Sequence, residues 1–389
     1  MKRVLIVVFG NVARDPRVLR QIDALSDSSD LTVAGFGPFK DSRVNFESLG
    51  LSGYQSSRQF WLGRLWQILE VALCTMRLYS LAYWVLRPAH FRFKKFLRSQ
   101  KFDLILINDS EGVAVATRFA RGNPTVVHDQ HEYWPDLFIN PLKKWAVAGY
   151  RRWYVKKYLS PLPNWITVAE GIGELYRGNF GMTEPIIITN APGFIELEAS
   201  DVTDNRVDLV YHGIWDPGRG IEVMIEALKH IPAHFHLNLI IVGNGKDHLR
   251  AVADQFQVLD RVHFHEPVQP RDIAAYINRF DVALIMNMPV NASEKFALPN
   301  KLFESIQGRL AIVTGPSPEI EKVVRSEQCG IVLDDFGPES LAKSLTTLSI
   351  EDIRQFKERS GDLAKSLSAE ENGKILRQTI GNLLADSSD

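Results

Sequence analysis

Short runs of Val, Ile and Leu recur along this chain, separated by stretches in which apolar residues return every three or four positions. The runs fall at residues 3–8, 31–36, 103–107, 125–128, 165–168 and 186–189, then again at 207–211, 236–242, 262–264, 281–286, 310–314 and 330–333. Uninterrupted apolar runs of this length predict strands covered on both faces by helices, hence doubly wound parallel sheets in an α/β chain. Between the two rounds, GFIELEASDVTDNR (193–206) breaks the pattern with polar turn formers. The boundary placed there predicts domains over 1–195 and 206–365. A last helical pattern, roughly 366–385, makes a terminal segment of 366–389.

One stretch fits neither round. Residues 58–101 are helical in pattern, aromatic and basic, and PLKKWAVAGYRRWYVKKYL (141–159) has the same character. The most apolar part, Leu65 to Leu86, carries Gln67, Glu70 and Arg77, which excludes a spanning helix. Aromatic and basic side chains interleaved on helices suit the surface of an anionic leaflet. The alternative is scaffold helices with apolar sides in the core and basic ends in solvent, but two segments sharing the composition in one domain favour the membrane surface.

Composition adds bounds. A chain of 389 residues, 45% hydrophobic and 23% charged, suits two soluble domains, each with its own core. The cysteines, Cys74 and Cys329, fall in different halves, giving no disulfide framework and no metal-ligand spacing, as expected in a reducing cytoplasm. The start, MKRVLIVVFG, is too short for a signal peptide and reads as a first strand running into its loop. Residues 1–200 hold 25 Lys and Arg against 18 Asp and Glu, whereas the remainder holds 20 against 28. A basic half beside an acidic half argues against nucleic-acid binding and permits one domain to face an anionic surface.

In doubly wound folds ligands bind at the carboxyl ends of strands, so the loops there carry the candidate chemistry. After the first strand, FGNVARDPR offers Gly10 and Asn11 for close backbone approach, ahead of a helix starting near Pro16. HDQHEYW (128–134) follows the strand at 125–128, with His131 foremost. His128, Asp129 and Glu132 beside it also suggest a metal, but no further ligands cluster in sequence, so none is expected. HGIWDPGRG (212–220) brings Gly213 and Arg219, a guanidinium suited to bidentate phosphate contact. IIVGNG (240–245) brings Gly243 and Gly245, either close to a nucleotide or plain turn glycines. ALPNKLFES (297–305) opens a helix with Lys301 and Glu304 three residues apart, Lys for phosphate and Glu for ribose hydroxyls. The same pair also fits an exposed ion pair on an ordinary surface helix.

With DPRV (15–18), ITVAEGI (166–172) and TNAP (189–192), these segments resemble, in order along most of the chain, the retaining GT-B glycosyltransferases of family four, also called glycosyl transferases group 1. The resemblance implies two Rossmann-like domains facing across a cleft, with the C-terminal helix returning to the N-terminal domain. It implies hexose transfer from a nucleotide-diphosphate sugar to a glycan or lipid-linked acceptor, with retention and without a cofactor or metal, in cell-envelope polysaccharide or glycolipid synthesis. By resemblance, His131 lies near the donor hexose, Arg219 and Lys301 on the pyrophosphate, and Glu304 on the ribose. Glu294 and the backbone of Phe296, Ala297 and Leu298 would also face the donor. Two departures stand out: Ile214 falls where the family has an Arg, and Glu294 and Glu304 are separated by nine residues rather than seven. The implied setting is cytoplasmic, peripheral on the inner face of the plasma membrane. A nucleotide-sugar epimerase, a glycan phosphorylase and a non-catalytic partner subunit share the fold; the chain is short for a phosphorylase and shows no pyridoxal-phosphate lysine motif.

Overall fold

Asp15 begins the first helix of the chain, Pro16–Leu25, by accepting hydrogen bonds from the amides of Arg17 (3.0 Å) and Val18 (3.1 Å), with Pro16 at the first helical position. The helix buries Val18, Ile22 and Leu25 against the sheet. The computed structural model describes residues 1–50, 57–85, 88–137 and 141–386. They form two compact units, Met1–Thr189 with Gly373–Asp389, and Asn190–Asn372.

The first unit holds seven parallel strands: β1 (Arg3–Asn11), β2 (Asp30–Phe36), β3 (Asn45–Gly50), β4 (Leu104–Asn108), β5 (Thr125–Gln130), β6 (Trp165–Thr167) and β7 (Ile186–Ile187). Their order is β3-β2-β1-β4-β5-β6-β7, so the chain reverses direction across the sheet between β1 and β4. That is where a doubly wound fold opens a crevice. β3 went unpredicted because it is an edge strand: NFESLG is half-exposed and has no apolar run. The helix Ala369–Asp386 buries Leu376, Ile380 and Leu384 in the core formed by Val4, Ile6, Val18 and Ile22.

The second unit holds six parallel strands: β8 (Val207–Ile214), β9 (Phe235–Val242), β10 (Val262–His265), β11 (Val282–Ile285), β12 (Ala311–Thr314) and β13 (Gly330–Val332). Their order, β10-β9-β8-β11-β12-β13, repeats the same reversal between β8 and β11. The chain passes from one unit to the other at Thr189, ahead of the expected 193–206. Polar groups of the second unit claim the following segment. Arg309 donates to the carbonyls of Ile195 and Leu197, Gln307 accepts from the Ile195 amide, and Glu370 accepts from the Phe194 amide. Buried Lys357 adds a further tie, donating to Ser200 Oγ and the Phe280 carbonyl, both at 2.8 Å.

The aromatic and basic stretches form helices in the first unit, Ser57–Thr75, Tyr79–Val85, Pro88–Ser99 and Pro141–Tyr154. Arg87 and the side chains of Arg58, Trp61 and Arg64 lie outside the described residues. Tyr83 and Tyr154 are buried, and Tyr79 packs against Tyr150 and Trp153, with ring centroids 6.2 and 5.8 Å apart. These rings are core, as the scaffold reading of the segments expects. Among the described residues the exposed apolar side chains are different ones: Leu65, Trp66, Ile68, Leu69, Met76, Leu78, Leu81 and Phe91 and, on the later segment, Trp145.

Candidate active site

The candidate residues fall in two groups, one in each unit. In the second unit β8 ends in Tyr211, His212, Gly213 and Ile214, and the helix Asn300–Gln307 starts beside it with Lys301 and Glu304. Leu302, Phe303 and Ile306 anchor that helix in the core, which fixes the opposite side toward β8. Lys301 and Glu304 each take a partner of their own from the strand. Lys301 Nζ stands 4.1 Å from the centroid of the Tyr211 ring. Glu304 Oε2 lies 2.8 Å from His212 Nε2. The surface ion-pair alternative is thereby excluded.

The charge state of Lys301 follows from its setting. Burial, reinforced by the charge of Arg219 and opposed by Glu304, brings its pKa down to about 7. Burial likewise pushes the Tyr211 hydroxyl up to about 12. That hydroxyl donates to the Ile214 carbonyl (3.0 Å), fixing the ring under the ammonium. Gly213 has φ +137°, and a Cβ there would sit 3.7 Å from Lys301 Nζ, so the missing side chain leaves the ammonium approachable.

Arg219 ends the short turn Pro217–Arg219, which Asp216 caps by accepting from the Gly218 amide at 3.0 Å. Ile214 is 65% exposed and brings no charge to this loop. Trp215 covers Gly245 so closely that a Cβ on that glycine would come within 2.3 Å of the ring. Gly243, φ +101°, has no neighbour within 4 Å of such a position.

The segment before the Lys301 helix differs from expectation. Residues Ala292–Lys295 form a turn of helix capped by Asn291, which accepts from the Glu294 amide (2.9 Å). Glu294 Oε2 accepts from the Val290 amide at 3.1 Å, so its carboxylate is engaged in shaping this turn. The amides of Phe296 and Ala297 donate to the carbonyls of Ala292 and Glu294 and are not presented to a ligand. Leu298 is buried.

In the first unit, Asp129 at the end of β5 is fully buried and receives Arg17 in a two-pronged bond, Nε at 2.7 Å and Nη2 at 2.8 Å. Gln21 donates to the same carboxylate (2.8 Å) and exchanges bonds with Asn108. Burial opposes ionisation, but Arg17 and His131 outweigh it and hold the Asp129 carboxyl well below the usual range. His131 lies 3.5 Å from Asp129 and 3.6 Å from Asp109. Burial disfavours its charged ring, yet the two carboxylates raise its pKa above the ordinary value. His128 turns away, stacked on Trp165, and burial drops its pKa to about 3. The two histidines of HDQHEYW therefore do not converge on one point.

A cavity of about 290 Å³ opens at the carboxyl ends of β1, β4 and β5, with Phe9, Asp109, Gln130, His131, Glu132 and Trp134 on its wall. Gly10 and Asn11 end β1 in this unit, and Asn11 lies against Gly37. Asp109, Gln130, Tyr211 and His212 were missed in sequence. Gln130 stands between Asp129 and His131, Asp109 lies just past the run at 103–107, Tyr211 ends the run at 207–211, and His212 opens HGIWDPGRG without any local sign of its partner.

Residues 206–350, inside the second unit, match the family described as Glycosyl transferases group 1. A D-inositol 3-phosphate glycosyltransferase of Xylanimonas cellulosilytica is 27% identical over 152 residues, which are 38% of this chain and 35% of that protein. The chain therefore spans about a third of that curated relative in the match. The sucrose-phosphate synthase of Thermosynechococcus elongatus superposes with a TM-score of 0.72 at 14% identity, over 99% of this chain and 100% of that one. Anabaena Alr3699/HepE, solved in complex with UDP, gives 0.69 at 13% identity over 99% and 100%. The fold is the GT-B fold.

Proposed function

We propose that this chain, whose residues 206–350 match the glycosyl transferases group 1 family, transfers a hexose from a nucleotide-diphosphate sugar to a glycan or lipid-linked acceptor with retention of configuration. The observation that carries the reading is the pairing of Lys301 with Tyr211 and of Glu304 with His212 at the carboxyl end of β8. It sets a cation for phosphate and a carboxylate for ribose on one turn of helix. Arg219 adds a second cation, sensed electrostatically by Lys301.

In the reaction the bond from the anomeric carbon to the diphosphate oxygen breaks. The acceptor oxygen bonds to that carbon from the same face, and its proton passes to the departing diphosphate. The step is difficult because negative charge builds on the leaving group while the sugar becomes oxocarbenium-like. Cations aimed in advance stabilise that charge without reorganising. Arg219 and Lys301 supply them from the chain itself, so activity survives chelation of divalent metals.

One feature supports action at the inner face of the plasma membrane, in envelope polysaccharide or glycolipid synthesis. Leu65, Ile68 and Trp145 are more than half exposed on their helices, with exposed Arg77 in the turn after the first helix, exposed Arg152 on the helix of Trp145 and exposed Lys156 on the helical turn that continues it. Among the described residues no helix is long and apolar enough to cross a membrane.

The reading is tested by thermal unfolding of the purified chain with a panel of nucleotide-diphosphate sugars, since a ligand of the folded state alone raises the midpoint. Stabilisation by one nucleotide family, followed by transfer to an acceptor, is the expected outcome. Turnover of the nucleotide sugar without an acceptor into its epimer would replace the reading with an epimerase.

A further inference from the structure

We infer that the reacting end of the acceptor is an uncharged sugar seated in the cavity at the ends of β1, β4 and β5, with Asp109 excluding acceptors that carry phosphate there. The inference rests on the glycosyltransferase reading and concerns the first unit alone. The cavity, about 290 Å³, stands at the small end of the range for small-molecule sites, room for a ring rather than a lipid chain. Its wall brings three carboxylates, Asp109, Glu111 and Glu132, against one imidazole, His131, which Asp109 and Asp129 already flank at 3.6 and 3.5 Å, and no Lys or Arg among the described lining residues. Recognition of phosphate calls for the opposite, guanidinium or ammonium donors. Arg17, behind Asp129, is already spent on that carboxylate and on the Ile188 carbonyl (2.9 Å).

Two further features fit a polyhydroxyl ligand. Gln130 lines the cavity and is only 2% exposed; its Oε1 accepts from Ser110 Oγ at 2.7 Å, while its Nε2 has no protein partner. A buried donor without an acceptor is costly, and a sugar oxygen answers it. Asp109 has φ +64°, a left-handed backbone that a non-glycine residue adopts at a cost. Its amide donates to the Asp129 carbonyl (2.9 Å), which holds the residue in place, and its side chain is 59% exposed beside His131. A carboxylate so placed accepts from hydroxyl groups and repels an anion, an effect worth about 10–10²-fold for a like charge at ~6 Å and an effective dielectric of ~20.

The test is saturation-transfer NMR on the full chain. The probes are methyl glycosides of glucose, galactose, mannose and N-acetylglucosamine, compared with the 6-phosphates of the same sugars. At least one uncharged glycoside should bind, and its 6-phosphate should bind ~10-fold or more weakly. Asp109→Asn, which keeps a residue tolerant of positive φ, should bring the two within ~3-fold. Gln130→Met should weaken the glycoside while the thermal unfolding midpoint stays close to that of the parent chain. The inference is overturned if the phosphates bind as well as the glycosides, if no uncharged glycoside binds at its highest soluble concentration, or if Asp109→Asn leaves the ratio unchanged. Absence of nucleotide-sugar binding in a separate thermal-unfolding experiment would remove the glycosyltransferase reading without touching these results.

Discussion

Lys301 stands with its ammonium 4.1 Å from the centre of the Tyr211 ring, held over an aromatic face rather than against a carboxylate. Among the described residues no acid forms an ion pair with it, although Glu304 is one helical turn away, because Glu304 is bonded to His212. An ammonium kept half-buried in this way is destabilised in the free protein and available to an incoming anion.

The first consequence is for stability. Lysine in the unfolded chain titrates near 10.4, whereas Lys301 in the fold has been brought down to about 7. Below pH 7 both states are protonated and the fold bears the whole penalty. Between 7 and about 10 the folded lysine loses its proton first and the penalty is progressively relieved. Lys301→Met should therefore raise the unfolding midpoint at pH 6, and the gain should shrink by pH 9. Scanning calorimetry of both proteins at the two pH values checks this; a gain that grows with pH would contradict the burial argument.

Glu304→Gln should weaken nucleotide binding by roughly tenfold while leaving kcat nearly unchanged, since ribose contacts alter little as the bond breaks. His212→Asn should move the same parameter in the same direction through loss of the 2.8 Å contact. Steady-state kinetics separate the two parameters. Full affinity in Glu304→Ala would remove the helix Asn300–Gln307 from the site.

Arg17 and Asp129 make a buried ion pair, and breaking one side of such a pair costs about 3–5 kcal/mol. Arg17→Met and Asp129→Asn should each lose that much in denaturant unfolding. The double variant should lose less than the sum, because it leaves no lone charge inside. The folded pKa of Asp129 is depressed, so its contribution is complete above the unfolded carboxylate value, about 3.9. It is lost as the pH falls below that value, and acid unfolding of the parent chain should begin there.

Legibility in the sequence followed burial. Twelve apolar runs predicted twelve of the thirteen strands, because a strand covered on both faces must be apolar throughout. β3 escaped because an edge strand half in solvent need not be. Lys301 and Glu304 were readable as a helix-spaced pair at a strand end, but their partners were not, since nothing local shows which ring or imidazole a fold will bring beside them. Glu294 was readable only as an acid near the helix, since nothing local shows that its carboxylate accepts from the Val290 amide. The aromatic stretches were ambiguous in composition, and packing sorted them into buried Tyr83 and Tyr154 and exposed Trp66 and Trp145.

The exposed apolar set makes the membrane reading specific. Sedimentation with liposomes of rising anionic lipid content should carry the chain down, less so at high salt. Replacing Ile68 and Trp145 together by Ser should reduce binding at every lipid composition. Replacing Tyr83, which is buried, should act on stability instead. A chain that stays in the supernatant with every liposome would leave a soluble acceptor as the better reading.

The most direct test of the donor site is calorimetric titration of the chain, Lys301→Met and Glu304→Gln with UDP, GDP and ADP at pH 8 in buffers of different ionisation enthalpy. A diphosphate beside Lys301 restores its charge, so binding of the preferred nucleotide should take up close to half a proton or more, and Lys301→Met should abolish the uptake while weakening affinity. Glu304→Gln should weaken affinity and keep the uptake. Tight binding with no proton uptake, unaffected by either substitution, would contradict the assignment of the donor to the end of β8.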